Sequence, residues 1–169
     1  MWLDLKDIIE IPGGEVSFET ELESETLAFP ELVRFTETPR AHGKAVNTAG
    51  VLTLTGELEA KMLCRCARCG SEFPLEKTLE LNVPLSAHMD DEGDDAEVFP
   101  LDGDGIELDE VLSSVFILNT DSKLLCSPDC KGLCPICGKN LNDGPCSCTK
   151  SVDPRLAVLG QLLDIEENQ

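Results

Sequence analysis

Apolar and polar residues alternate most clearly from Val51 onward. Leu52, Leu54, Leu58, Ala60 and Met62 take even positions, while Thr53, Thr55, Glu57, Glu59 and Lys61 take odd ones. A period of two sends one set to a buried face and the other to water, which predicts a long strand. Carried on, the same register places Cys64 on the buried face. A second strand is expected over Leu79–Val83, limited by Pro84. The stretch from Cys66 to Phe73 then becomes the connection of a β-hairpin. A weaker alternation at Val16, Phe18 and Leu22 follows the turn signal Pro12-Gly13-Gly14. The first 88 residues thus read as strands and turns.

The period changes further along. Leu108, Val111, Leu112, Val115 and Phe116 fall at helical spacing, with Asp109 and Glu110 at the positive end of the dipole. A core-facing helix near 108–118 is expected. Asp153-Pro154-Arg155 pairs an N-cap with proline at the first helical position, and Leu156, Leu159, Leu162 and Leu163 form a stripe behind it. That predicts a closing helix over 153–166. The fold class expected is α+β: a mainly antiparallel twisted sheet, two helices and a Cys-rich carboxyl-terminal region. The division expected is a β-rich domain, 1–122, and a Cys-rich metal-binding region, 123–169.

Charge changes the picture. The 169 residues carry 33 acids against 13 Lys and Arg, a net charge of −20. Such a balance disfavours general adhesion to nucleic acid or anionic lipid and favours basic protein partners, or a locally basic patch inside an acidic whole. No Lys or Arg stands between Lys77 and Lys123, and the run Asp90-Asp91-Glu92-Gly93-Asp94-Asp95 is read as an exposed acidic loop within 89–105. No apolar stretch approaches the ~20 residues needed to span a bilayer. The start, Met1-Trp2-Leu3-Asp4-Leu5-Lys6-Asp7, places acids where a secretion signal has bases. A cytoplasmic protein without a membrane partner is therefore expected, and its nine cysteines are not expected to form structural disulfides.

Those cysteines carry the candidate chemistry. Cys66-Ala67-Arg68-Cys69-Gly70 and Cys134-Pro135-Ile136-Cys137-Gly138 share the form C-x2-C-G. Two intervening residues let both sulfurs reach one ion ~2.3 Å away, and the glycine permits the positive-φ turn that aims N–H groups at sulfur. Cys126-x3-Cys130 and Cys146-x-Cys148 lie beside them. The ligand set expected first is Cys134, Cys137, Cys146 and Cys148, all local, around Zn2+. Cys66 and Cys69 joined by Cys126 and Cys130 form a second set that would tie the hairpin to the tail. The rival grouping is Cys66, Cys69, Cys134 and Cys137, a rubredoxin-like arrangement that would hold iron. Cys64 reads as a core thiol. A thioredoxin-type redox pair at Cys66 and Cys69 would open a helix, whereas Gly70 and the flanking strand signals point to a turn.

Lys61, Arg65 and Arg68 flank the first motif, and Lys123, Lys131, Lys139, Lys150 and Arg155 thread the second region. Cations offset the negative charge of a tetrathiolate ion site. They also offer an RNA-backbone surface, for which Lys61, Arg65, Arg68, Lys131, Lys139 and Arg155 are the candidates.

The run Leu125-Cys126-Ser127-Pro128-Asp129-Cys130-Lys131-Gly132-Leu133-Cys134-Pro135-Ile136-Cys137-Gly138-Lys139-Asn140-Leu141-Asn142, then Cys146-Ser147-Cys148 and Asp153-Pro154-Arg155, resembles the YceD family of large ribosomal RNA subunit accumulation proteins. Cys66-x-Arg68-Cys69 after a long strand also matches, as does an acidic insertion followed by a helix. The resemblance spans about residues 50 to 165. It implies a bacterial ribosome-biogenesis factor concerned with production, processing or stability of large-subunit rRNA. The implied partners are the large-subunit rRNA precursor, a basic ribosomal protein, or both, with no small-molecule substrate.

Competing classes are an RNA-processing enzyme dependent on Zn2+ or Mg2+, and a thiol redox or zinc-storage protein. The chain has only His42 and His88, both in polar surroundings, and no G-x-S-x-G, H-E-x-x-H or P-loop. The expectation is a protein that is not an enzyme.

Overall fold

The alternation after Val51 becomes a strand of fifteen residues with its even side chains buried: Leu52, Leu54, Leu58, Ala60, Met62 and Cys64 are all at most 5 % exposed. The structure, a computed structural model, describes residues 1–86 and 98–148. In chain order the elements are β1 (Trp2–Asp4), the short helix α1 (Lys6–Ile9), β2 (Glu15–Glu21), β3 (Leu32–Phe35), β4 (Arg40–Thr48) and β5 (Val51–Arg65). They continue with β6 (Glu72–Ser86), β7 (Phe99–Pro100), β8 (Gly105–Glu107) and α2 (Leu108–Leu118). A single 3-10 turn follows at Leu141–Asp143. Strands dominate, and the class is α+β with a mainly antiparallel sheet.

The main sheet has six strands in the order β2-β4-β5-β6-β7, with β3 laid against the far end of β5. Every pairing in it is antiparallel except the short parallel contact of β7 with β6. Strand β5 is long enough for two neighbours on one side: β4 covers Val51–Glu59, and β3 covers Met62–Cys64. Strands β1 and β8 form a separate antiparallel ribbon. The β4–β5 hairpin turns through Ala49 and Gly50, at φ 54° and 93°. Two successive positive φ values match the right-handed twist of the flanking strands.

Strand β6 corrects the sequence expectation. It runs from Glu72 through Pro84 to Ser86 rather than over Leu79–Val83, so the hairpin connection is only Cys66–Ser71. Pro74 and Pro84 lie an even number of residues apart, so both turn their missing N–H toward the same side. That side is the edge away from β5, where β7 reaches only Leu85 and Ser86. A proline facing an open edge removes no ladder bond. The expected loop 89–105 is corrected as well, because β7 and the first residue of β8 fall inside it. Residues 87–97, with the acidic run and His88, lie outside the described residues, as do Lys150, Asp153, Pro154, Arg155 and the closing helix 153–166.

Helix α2 occupies the predicted span and buries Leu108, Val111, Leu112, Val115 and Phe116 against the inner face of the sheet. The Phe116 ring meets those of Phe29 and Phe35 at centroid distances of 6.4 and 6.3 Å. Lys77, on the inner face of β6, donates to the Asn119 carbonyl at the helix carboxyl end, where a cation complements the dipole. Buried Asn47 fastens α1: its Nδ2 donates to the Ile8 and Ile9 carbonyls, both at 2.8 Å, and its Oδ1 accepts from Gly50 N–H. Such bonds supplement the few backbone donors available to carbonyls at a helix end; the Ile8 carbonyl also accepts from Ile11 N–H at 3.3 Å. No helix among the described residues is long and apolar enough to cross a membrane.

Candidate metal centres

The β5–β6 hairpin ends in a tight knuckle. Cys66 N–H donates to the Ser71 carbonyl at 2.9 Å, and Gly70 N–H donates back to the Cys66 carbonyl at 2.9 Å. The second motif repeats the pattern: Cys134 N–H bonds the Lys139 carbonyl at 2.8 Å and Gly138 N–H bonds the Cys134 carbonyl at 2.9 Å. Gly70 and Gly138 sit at φ 70° and 72°, a conformation that a Cβ disfavours.

Each knuckle meets a second pair of thiols. Cys66 and Cys69 converge with Cys126 and Cys130; Cys134 and Cys137 converge with Cys146 and Cys148; within each set the sulfurs lie within 4.8 Å of one another. Measured edges are 3.7 Å for Cys66–Cys130, 3.6 Å for Cys69–Cys126 and 3.4 Å for Cys134–Cys146. A tetrahedron of sulfurs around one ion at ~2.3 Å has edges of about 3.8 Å. Both sets could therefore hold a metal ion, while the rival grouping of the two knuckles with each other is not the one found. Cys64 stays apart in the hydrophobic core, its thiol pushed up by burial and by Glu31.

Local electrostatics divide each set. Burial pushes the Cys66 thiol up, but the N–H groups of Cys126, Cys69 and Arg68 outweigh it and bring it down to about 6. Ser71, through hydroxyl and backbone, lowers Cys69. Hydrogen bonding to Cys69, then burial, pushes Cys126 up to about 12. In the second set, the N–H groups of Cys137 and Ile136 bring Cys134 down to about 6, and bonding to Cys137 pushes Cys148 up to about 12. In each set the first knuckle sulfur is thus prepared as a thiolate.

Supporting contacts knit the two sets together. Arg68 Nη1 donates to the Cys130 carbonyl at 3.0 Å, and Ala67 N–H donates to Leu124 at 2.8 Å. Asn142 lies in the 3-10 turn between the second set's pairs. Its Nδ2 reaches Cys130 Sγ of the first set at 3.4 Å, while its Oδ1 accepts from Lys131 N–H at 2.8 Å. Asn140 caps that turn and extends to Ser71 Oγ at 3.4 Å. Neither asparagine belongs to a C-x2-C-G motif. The signal available was their habit of bonding backbone two residues on.

The candidate cations mostly have intramolecular roles. Lys61 is paired with Glu37 at 2.9 Å, Arg65 with Glu72 at 3.6 Å, and Lys139 Nζ donates to the Pro145 carbonyl at 2.9 Å. Arg68 is spent on the Cys130 carbonyl. Lys131 has an exposed side chain, and Arg155 lies outside the described residues. His42 is exposed on β4.

Comparison with known proteins places these observations. The family profile described as "Large ribosomal RNA subunit accumulation protein YceD" matches residues 54–163, which include both sulfur sets. Uncharacterized proteins of Mycobacterium bovis and of two strains of Mycobacterium tuberculosis are each 32 % identical over 124 residues, 70 % of this chain. The chain spans 58 % of the length of these relatives. No solved structure matches it.

Proposed function

We propose, since this chain belongs to the YceD family, that it is a non-catalytic ribosome-biogenesis factor needed for synthesis, processing or stability of large-subunit rRNA. It acts in the cytoplasm by binding RNA, a ribosomal protein, or both. The family match over residues 54–163 carries this reading. Each sulfur set holds one Zn2+, Cys66, Cys69, Cys126 and Cys130 one ion and Cys134, Cys137, Cys146 and Cys148 the other. A shell closed by four thiolates leaves no coordination position for substrate, so the ions supply rigidity and not turnover.

Depleting the protein from cells tests the role. Large-subunit rRNA should fall while small-subunit rRNA holds steady; equal loss of both, or of neither, overturns it. Elemental analysis of the purified chain should find two zinc ions. Turnover of structured precursor rRNA by the purified protein would overturn the non-catalytic reading.

A further inference from the structure

Beside α2 a groove of about 610 Å3 is lined by Trp2, Phe99, Leu101, Asp102, Glu107 and Glu110 among others, and by no Lys or Arg. Its aromatic wall is unusual. Trp2 is 48 % exposed, yet its position is set from beneath by Gly105. A Cβ there would meet the indole Cζ2 at 2.6 Å and the Leu3 carbonyl oxygen at 2.5 Å. The β1–β8 pairing of Trp2 with Glu107 fixes the ring's height above the ribbon. An exposed indole held in place loses little freedom on binding and is a favoured anchor at interfaces.

The side chains that line it carry one sign of charge: Asp102, Glu107 and Glu110, with no Lys or Arg. Glu107 bonds the Met1 amine, but the carboxylates of Asp102 and Glu110 have no partner among the described residues. We propose that this groove receives a basic segment of a protein partner, its aliphatic stems on Phe99 and Leu101 and a Lys or Arg head between the Trp2 face and the two carboxylates. The same carboxylates would repel phosphates, which sets RNA apart as an occupant. The inference rests on the proposed assembly role only in taking that partner to be ribosomal.

Trp2 is the single tryptophan of the chain, so it reports on its own groove. The full chain is titrated with a synthetic peptide alternating Arg and Leu, and separately with oligouridylate. The peptide should shift Trp2 emission to the blue and saturate. The double variant Asp102→Lys/Glu110→Lys, folded by circular dichroism, should bind it roughly tenfold more weakly. Emission unmoved by the peptide, equal affinity of the double variant, or a shift with oligouridylate at the same concentrations each overturns the proposal. In depleted cells the double variant should fail to restore large-subunit rRNA. Full restoration would remove the groove and leave the assembly role standing. Unchanged rRNA on depletion would remove that role and leave the titration to decide the groove.

Discussion

Gly43 on β4 and Gly56 on β5 face each other, and neither position has room for a side chain. A Cβ on Gly43 would stand 2.1 Å from the Thr55 carbonyl oxygen, and one on Gly56 would stand 2.1 Å from that of His42. Because the obstructing atoms are backbone, the strands would have to part. Gly56→Ala should therefore destabilise the fold by about 1–3 kcal/mol, read from the midpoint of urea unfolding. The thiols make the second residue-scale prediction. Cys126 and Cys148 are pushed up to about 12 and hold protons at neutral pH, so an arriving ion must displace them. Affinity of the stripped chain for Zn2+ should rise with pH between about 6.5 and 8, by up to about tenfold per unit for each proton displaced. Below pH 6 the Cys66 and Cys134 thiolates of the stripped chain protonate in their turn, and affinity should fall more steeply still. A competition titration with a chromogenic chelator across this range checks the sign.

With an ion in each sulfur set, the sheet and the Cys-rich tail should depend on metal to different extents. Among the described residues, the sheet with α2 has its own core of 24 buried apolar residues. Among the described residues, only Phe73 and Leu125 add partly buried apolar contact around the first sulfur set, and the second set adjoins exposed Leu133 and Ile136. Chelation should thus leave the sheet's circular dichroism nearly intact. Amides over 124–148, including the knuckle bonds of Cys134 and Gly138, should lose hydrogen-exchange protection. Loss of the whole fold would contradict this. Asn142 couples the two sets through Cys130, so Asn142→Ala should weaken the first site about 10-fold or more while both sets keep four sulfurs. Two-step metal release measured on this variant and on the parent chain decides it.

At the scale of the molecule, a net charge of −20 acts against compaction. Most of the ion pairs among the described residues are exposed surface pairs such as Arg40–Glu21 and Lys44–Glu15, each worth only about 0–1 kcal/mol. Self-repulsion should then govern the salt response. Raising ionic strength from about 0.02 to 0.5 M should raise Tm, since the Debye length shrinks well below the size of the domain. A falling Tm would mean that the attractive pairs outweigh the repulsion.

Strand β5, helix α2 and the candidacy of eight sulfurs as metal ligands are written in the sequence, because they rest on local periods and on spacings a few residues long. Hydrophobic alternation sets which face of β5 is buried wherever its partners lie, and C-x2-C-G closes its own turn. What only the folded chain decided involves residues far apart along it. The length of β6 past Pro84 depended on which edge that proline faces, and the edge exists only once β5 has paired. The meeting of Cys66 with Cys130 depended on the hairpin tip reaching across the tail, 64 residues on. Trp2 became a groove wall because Gly105, on a strand that no local pattern announces, offers its ring a seat. Local sterics and solvation act within a few bonds and are legible from neighbours; these juxtapositions are set by which surfaces the whole chain leaves free to meet.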